Sequence, residues 1–232
     1  MPRQGSPKQP VPLIDLDARG RQSRATGQEQ EQRQEPTISL KVAHWNAEGI
    51  KNKKPELQEF LRKNDIDVIC VQETHLNKPQ KFFIRGYQDD LRVDRDGHKG
   101  GIITLVKNSI PAVEIARSNG DLEYLTIKLI LPSGDLFITN CYSPSSTNLV
   151  LDAINIKPSR HLVAGDLNSH SPSWGYEEAD ARGNILEDWM IDNNLILINL
   201  PDDDPTCYSR SWKSSSTPDV AAATDDVQKV CS

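Results

Sequence analysis

The sequence predicts an α/β fold in which two packed β-sheets are covered by helices. Apolar runs of strand length recur along the chain, and two segments instead carry helical periodicity. The stretch from residue 101 to residue 142 holds strand after strand with no helix between them. Because that stretch pairs into sheets whose outer faces the helices can cover, an α/β sandwich follows. The predicted strands span residues 38–45, 67–72, 101–107, 112–116, 123–131, 136–142, 161–165, 195–200 and 219–223.

Two segments have the pattern of helices with one apolar face. In the first, Pro55 occupies a first-turn position, where its missing N–H is not needed, and Asn64 ends the pattern. The second pattern ends at Asn193 and Asn194. Between the helices, the sequence PSGD at residues 132–135 predicts a hairpin turn. The residues at helical spacing are Leu57, Phe60 and Leu61 in the first segment, and Leu186, Trp189 and Met190 in the second.

Composition separates the beginning of the chain from the rest. Residues 1–36 are rich in Gln, Arg, Pro and Glu without apolar periodicity, so they bury too little surface to offset their ordering entropy. We predict a disordered tail there and one domain over residues 37–232. The net charge of −6 argues against a basic nucleic-acid coat protein, although it allows a nuclease with one local basic face.

Neither the cysteines nor the apolar runs indicate secretion or membrane insertion. The four cysteines are scattered without a Cys-x-x-Cys pair, which is typical of buried or incidental thiols in a reducing compartment. The start lacks a signal peptide, and no apolar run approaches the ~20 residues that span a bilayer. We expect an intracellular protein with no membrane partner.

Polar residues gather where predicted strands end. A single such residue is more often a turn or a cap than a site. Four strands with polar tips, however, match the edge at which open α/β sheets bind ligands. The residues are Asn46 and Glu48 after strand 38–45, Glu73 after 67–72, Tyr142 at the end of 136–142, and Asp166 with Asn168 after 161–165.

Together these side chains suit hydrolysis of a phosphodiester. The carboxylates of Glu73 and Glu48 favour a hard cation such as Mg²⁺, for which Mn²⁺ can substitute. Asn46 and Asn168 can hold a phosphate oxygen or orient a neighbouring acid, and Tyr142 can donate to charge that develops on the phosphoryl group. With no supported Ser-His or Cys-His pair and no P-loop, metal-assisted attack by water is the chemistry that fits best.

The order of these motifs resembles a known family. The segments HWNAEGI, CVQETHL, GGIITLVKNSI, NCYSPSS, VAGDLNSHSPSWG and STPDVAAA are similar to motifs of the endonuclease/exonuclease/phosphatase superfamily. Within it, the chain resembles the endonuclease domain of non-LTR retrotransposons of the jockey-like and telomere-specific kind. The resemblance implies a four-layer α/β sandwich of two mixed sheets flanked by helices. It also implies a DNA substrate, a reverse transcriptase of the parent element as partner, and the nucleus rather than the cytoplasm.

The resemblance assigns a role to each candidate residue. Glu73 would be the main Mg²⁺ ligand, with Glu48 a further acid near the metal. Asp166 would position or deprotonate the attacking water beside Asn168. The remaining roles are Asn46 in the hydrogen-bond network, Tyr142 at the scissile phosphate, and Asp219 as the acid that orients a catalytic histidine.

That histidine is the main departure from the family. It belongs to a Ser-Asp-His motif that the sequence does not contain. The expectation is therefore a C-terminally truncated copy that lacks the last strand and has strongly reduced nuclease activity. His170 and His75 are weak substitutes, since a loop histidine that bonds to local backbone is the more common case. His44 and His161 lie on strands, and His98 lies in a turn.

Three functions stay open on the sequence. The first is a DNA-nicking endonuclease whose 3′-hydroxyl product a reverse transcriptase could extend. The second is a catalytically dead remnant that acts at most as a binding module. The third is a phosphatase of the same superfamily, acting on a phosphate monoester or a phospholipid.

Overall fold

Two mixed six-stranded sheets form the centre of the protein. The computed structural model describes residues 11–17, 39–95, 99–120, 122–199, 201, 207–209, 214–216 and 219–229 of the 232-residue chain. Helices flank the sheets, so the predicted α/β sandwich is confirmed.

The first sheet has the strand order β1-β2-β3-β6-β4, and β5 also pairs with β6. Strands β2 and β3 are parallel, whereas the other pairs are antiparallel. The parallel pair brings the carboxyl ends of β2 and β3 to the same edge. The strands are β1 (Val11–Asp17), β2 (Ser39–Asn46), β3 (Val68–Gln72), β4 (Tyr87–Gln88), β5 (Arg92–Val93) and β6 (Ile102–Lys107).

The second sheet has the strand order β11-β14-β10-β9-β8-β7. Here β9 and β10 are the parallel pair, and the predicted hairpin at residues 132–135 joins antiparallel β8 and β9. A separate two-stranded ribbon pairs β12 with β13. The strands are β7 (Ala112–Arg117), β8 (Glu123–Leu129), β9 (Leu136–Tyr142), β10 (His161–Asp166), β11 (Leu195–Leu197), β12 (Cys207–Ser209), β13 (Ser214–Ser216) and β14 (Asp219–Thr224).

Both predicted helices are confirmed, and local sequence explains where they begin and end. Helix α1 (Lys54–Asn64) has its proline in the first turn and ends at Asp65 in the left-handed conformation. Helix α2 (Ala181–Asp192) begins at Asp180, whose carboxylate accepts a hydrogen bond from Gly183 N–H. The four-residue α3 (Asp225–Gln228) was not predicted because it is too short for periodicity.

The core has three apolar layers that follow the alternation of side chains along the strands. One face of each sheet packs against the other sheet, as Val42 of β2 and Ala164 of β10 do. The opposite face of the first sheet packs on α1 through residues such as Trp45 and Leu57. The opposite face of the second sheet packs on α2 through residues such as Trp189. Helix, sheet, sheet and helix thus form four layers.

The alternation also explains why polar residues meet at one edge. Side chains that point between the sheets are apolar along most of β2, β9 and β10. At the last position of each of these strands the same face carries Asn46, Tyr142 and Asp166. The inter-sheet core therefore ends in a polar cluster.

The N-terminal segment differs in part from its prediction. Disorder is expected for residues 1–36, yet Val11–Asp17 forms β1, which pairs antiparallel with β2. Without a partner, this edge of β2 would expose unpaired backbone N–H and C=O groups, and pairing with β1 satisfies them. The rest of the predicted tail lies outside the described residues.

Candidate active site

The side-chain amide of Asn46 joins two carboxylates from different sheets. Its Nδ2 donates to Glu73 Oε1 at 2.8 Å and to Asp166 Oδ2 at 2.6 Å. The backbone N–H of Glu48 donates to Asn46 Oδ1 at 3.1 Å. Because a backbone N–H can only donate, this contact fixes the oxygen of the amide and turns its NH₂ toward the acids. Two buried strand ends are thereby held against each other.

Glu73 follows β3 on a backbone that L-residues adopt rarely. Its φ is +48°, and His75 nearby has a φ of +53°. Backbone bonds hold the loop, since Gly49 N–H donates to Glu73 O at 2.8 Å and Thr74 N–H donates to Gly101 O at 2.9 Å. His75 Nε2 lies 3.3 Å from Glu73 Oε2. Left-handed backbone is costly for such residues and is common at functional sites.

Asp166 and Asn168 form the second half of the cluster. Asp166 ends β10 and is buried, and its Oδ1 accepts a hydrogen bond from Asn168 N–H at 3.0 Å. Asn168 has a φ of +47° and donates from Nδ2 to the carbonyl of Ser143 at 3.1 Å. The Asp166 carboxylate is thus oriented by an amide from each sheet.

Gly165 explains how β9 and β10 approach closely enough to form the cluster. A Cβ atom at this position would lie 1.9 Å from the carbonyl oxygen of Cys141. Only glycine fits there, so the Gly-Asp dipeptide places Asp166 beside Tyr142, its register partner in the parallel pair.

Tyr142 is a buried phenol among acids. Burial raises its pKa well above the ordinary value, and the nearby charges of Glu73, Asp166 and Glu123 raise it further. A hydrogen bond with Glu73 acts in the same direction. The phenol therefore stays protonated at neutral pH and can donate a hydrogen bond.

Asp219 lies directly across the sheet from Asp166. The two are register partners in the antiparallel pair of β10 and β14, and Asp219 is buried. Asn46, Glu73, Tyr142, Asp166, Asn168 and Asp219 are therefore gathered at one edge of the sandwich. Glu48 belongs to the group through its backbone N–H, while its side chain is exposed.

The sequence is similar to proteins of mobile elements. A family model described as endonuclease-reverse transcriptase matches residues 136–232. A probable RNA-directed DNA polymerase from transposon X-element of Drosophila melanogaster is 28% identical over 187 residues, which cover 77% of this chain and 20% of that protein. The RNA-directed DNA polymerase of mobile element jockey from Drosophila funebris is 28% identical over 183 residues, 75% of this chain and 19% of that protein.

Solved structures share the fold. The endonuclease domain of TRAS1, a telomere-specific non-LTR retrotransposon, superposes with a TM-score of 0.65 at 16% identity, covering 81% of this chain and 85% of that chain. The chain therefore shares the fold of this endonuclease domain. The AP endonuclease LMAP from Leishmania major, at 19% identity, has a TM-score of 0.63 over 82% of this chain and 80% of that chain.

The sequence similarity covers only part of the relatives' length. The chain spans about a fifth of the polymerases that it matches. It resembles the endonuclease domains of retrotransposon proteins. No helix in the described part of the chain is both long and apolar enough to cross a membrane.

Glu123 lies in the same cluster and was not predicted from the sequence. It is buried at the start of β8, directly across from Tyr142. Its Oε2 accepts from Gly101 N–H at 2.6 Å, and its Oε1 lies 2.8 Å from Arg95 Nε. Burial raises the pKa of Glu123 to about 7; Arg95 and Gly101 lower it, and the charge of Glu73 raises it. Counting outward from residues 132–135 would have placed Leu125 opposite Tyr142, whereas the observed register, in which Leu129 pairs with Leu136, places Glu123 there.

The histidines follow their sequence interpretations where the structure describes them. His44 and His161 are buried on strands. His170 lies half exposed on its loop, with Nδ1 3.6 Å from Asp180 Oδ2 and its ring stacked on Tyr176. His98 lies outside the described residues.

The donor atoms at this edge fit a hard cation with few protein ligands. Among the described residues, no three His, Cys, Asp or Glu side chains group closely enough to hold a metal alone. Mg²⁺ is usually held by one or two carboxylates and otherwise by water and substrate phosphate oxygens. Glu73, which keeps one-fifth of its side chain exposed at 19%, and the exposed Glu48 meet that requirement.

Proposed function

We propose that the chain hydrolyses phosphodiester bonds in DNA with the help of Mg²⁺, or Mn²⁺, and so nicks one strand. The observation that carries the proposal is the Asn46 amide, which holds the carboxylates of Glu73 and Asp166 together from two sheets. Carboxylate oxygens held together in this way can bind a hard cation, which in turn can bind a phosphate oxygen.

The cation site would consist of Glu73 with Glu48 beside it. A bound Mg²⁺ supplies positive charge that stabilises the negative charge developing on the phosphate. His75 contacts the second oxygen of Glu73 and thereby limits the rotation of its carboxylate.

The remaining side chains would position the water and the phosphate. Asp166 is held by two amide donors, so its carboxylate can orient the attacking water and accept its proton. As the water oxygen bonds to phosphorus, the bond from phosphorus to the 3′ oxygen breaks, and a proton from solvent completes the 3′-hydroxyl. Tyr142, a protonated phenol, would donate a hydrogen bond to a phosphate oxygen. Asn168, which lies beside Asp166, would help to orient that phosphate.

The comparisons support DNA as the substrate. Relatives are named RNA-directed DNA polymerases of mobile elements, and structural neighbours are named AP endonucleases. We propose that a nick made by this chain supplies the 3′-hydroxyl from which a reverse transcriptase of the same element extends, and that it acts in the nucleus.

A plasmid assay tests the proposal. The chain should convert supercoiled plasmid to the open circle with Mg²⁺ or Mn²⁺ and not with a chelator. Glu73→Gln and Asp166→Asn should each lower the rate by about 10²–10³-fold, because charge stabilisation or water activation is lost. Asp152→Asn, at an exposed acid, is the charge-matched control and should nick normally. Nicking that survives both site variants would refute the proposal.

A non-catalytic binding module is the second candidate, because the sequence contains no Ser-Asp-His motif. The chain and a version extended by a segment with that motif should be compared in nicking and in DNA binding. We expect the extended version to nick faster. Equal DNA binding with nicking by neither version would favour the binding module. Release of phosphate from an inositol phosphate, without nicking, would instead favour a phosphatase.

A further inference from the structure

Arg182 makes an unusually large set of hydrogen bonds to backbone beside the site. It lies in the first turn of α2, and its guanidinium reaches two loops. A planar group with five donors suits several acceptors at once. Its bonds are Nε to Leu167 O at 3.2 Å, Nη2 to Leu167 O at 2.6 Å, Nη2 to Ser143 Oγ at 2.9 Å and to Ser143 O at 3.3 Å, and Nη1 to Thr147 O.

These acceptors belong to the loops that leave the site strands. Ser143 directly follows Tyr142, the last residue of β9, and Leu167 directly follows Asp166, the last residue of β10. Arg182 therefore ties together the exits of the two strands that form the parallel pair. Without it, the carbonyl of Leu167 would lose two donors at a buried position.

One acceptor is shared with the site itself. The carbonyl of Ser143 accepts from Arg182 Nη2 and also from Asn168 Nδ2 at 3.1 Å. The N–H of Ser143 donates to the carbonyl of Asp166 at 3.0 Å. Moving Ser143 would therefore move the side chain of Asn168 and the backbone of Asp166.

The glycine after Arg182 explains how α2 comes this close. A Cβ atom on Gly183 would lie 1.8 Å from the carbonyl oxygen of His170. The helix backbone thus rests directly on the loop after β10. Asp180 reinforces this contact, since its Oδ1 accepts from Gly183 N–H at 2.6 Å and from His170 N–H at 3.1 Å. The contact between helix α2 and the loop after β10 places Arg182 within hydrogen-bond distance of the carbonyls of Leu167 and Ser143.

We infer that Arg182 is a positioning residue, which sets the orientation of Asn168 and Tyr142 toward the phosphate by locking Ser143 and Leu167 in place. The inference rests on the proposed nuclease function. It assigns the arginine a geometric role through the fork of its guanidinium. A role through positive charge alone would be satisfied by lysine.

Arg160 provides a matched control. It also bonds to several loop acceptors, with Nε donating to Asp135 O at 2.8 Å and Nη2 donating to Gly134 O at 3.2 Å. It precedes β10, so it lies at the end of the strand opposite to Asp166. Arg160→Met therefore removes a similar set of bonds far from the site.

The first measurement is steady-state nicking by Arg182→Met, Arg182→Lys and Arg160→Met. We expect kcat of both Arg182 variants to fall by about 10–100-fold while KM changes less than about threefold, since misplaced groups affect the chemical step more than binding. Arg160→Met should stay within about twofold of the wild type. Rescue by lysine, or equal loss in Arg160→Met, would overturn the inference.

The second measurement does not need activity. The side-chain amide of Asn168, observed by ¹⁵N NMR, should shift and exchange faster with solvent in Arg182→Met and not in Arg160→Met. If the wild type does not nick, the proposed function fails. The positioning role of Arg182 is then tested only by the NMR signal of the Asn168 side-chain amide. An unchanged amide would refute that role. If Arg182→Met does not fold, Ser143→Ala can replace it, because this variant removes one acceptor of Arg182. It should lower kcat by about 2–5-fold and shift the NMR signal of the Asn168 side-chain amide.

Discussion

The two ends of β3 each place one nitrogen group between two carboxylates, and the groups differ in charge. At the carboxyl end, the neutral amide of Asn46 donates to Glu73 and Asp166. At the amino end, the ammonium of Lys107 lies 2.8 Å from Asp65 Oδ1 and 2.7 Å from Asp67 Oδ1. The lysine neutralises one of its two acids, whereas the amide neutralises none.

We propose that this difference separates a structural ion-pair cluster at the Lys107 end from a cation site at the Asn46 end. Both acids lower the free energy of charged Lys107, and they raise its pKa despite partial burial. At the Asn46 end, like charges lie close together, and the pKa of Tyr142 rises through burial and through Glu73, Asp166 and Glu123. An excess of negative charge costs stability unless a ligand offsets it, so this end is suited to a cation.

The largest expected effect comes from breaking the amide contact. Asn46→Leu keeps a similar volume and removes the donor to both acids. Nicking should fall by about 10²–10³-fold, as is typical when a positioned donor is lost. The matched change is Lys107→Met at the other end, which should leave nicking within about twofold. Both variants are measured by plasmid nicking. An equal loss of nicking in Asn46→Leu and Lys107→Met would show that the two ends of β3 do not differ in function.

Glu123 gives a pH-dependent effect. Its pKa is raised from 4.5 to about 7 by burial, so between these values the folded state binds more protons than the unfolded state. Stability then falls as pH rises through this window, by about 3 kcal/mol. Glu123→Gln does not titrate. The free energy of unfolding of the wild type minus that of the variant should decrease from about pH 4.5 to about pH 7 and stay level above.

Urea unfolding across that pH range measures the difference. Glu178→Gln, at an exposed glutamate, is the control and should give a flat difference. A difference that rises with pH, or one that does not change, would show that the acid does not retain its proton in the folded protein.

A smaller effect is expected on stability at the lysine end. Lys107→Met leaves Asp67 without its cation, and Asp67 keeps only 17% of its side chain exposed. The free energy of unfolding should fall by about 1–2 kcal/mol, because the pair is partly screened by solvent. High salt should reduce the difference in free energy of unfolding between the variant and the wild type. A variant as stable as the wild type would show that this pair does not support the fold.

Features that depend on neighbouring residues in the chain can be predicted from the sequence, whereas features that depend on residues far apart in the chain are harder to predict. Both long helices and the PSGD hairpin follow from local patterns, and Asn46 and Asp166 are visible because they end apolar runs. β1 was missed because seven residues in a polar segment become a strand only when the edge of β2 is present. Predicting β1 requires knowing that the edge of β2 has no other strand partner.

The supporting residues of the site were harder to predict. Glu123 depends on the register of β8 against β9 and on a loop that brings Arg95 to it. Arg182 is 39 residues from Ser143 and 15 from Leu167 in the chain, and nothing in its local sequence identifies these partners. Side chains that act through other residues depend on tertiary packing, whereas strand-tip acids are apparent from the sequence pattern.

The most direct test of the account is the stability of wild type and Glu73→Gln with and without Mg²⁺. Without the cation, the variant should be at least as stable as the wild type, because one of two neighbouring negative charges is gone. Mg²⁺ should raise the melting temperature of the wild type and leave that of Glu73→Gln nearly unchanged, since only the folded wild type binds it. Equal responses to Mg²⁺, or a less stable variant in its absence, would contradict the claim that the Asn46 end of β3 is built for a cation.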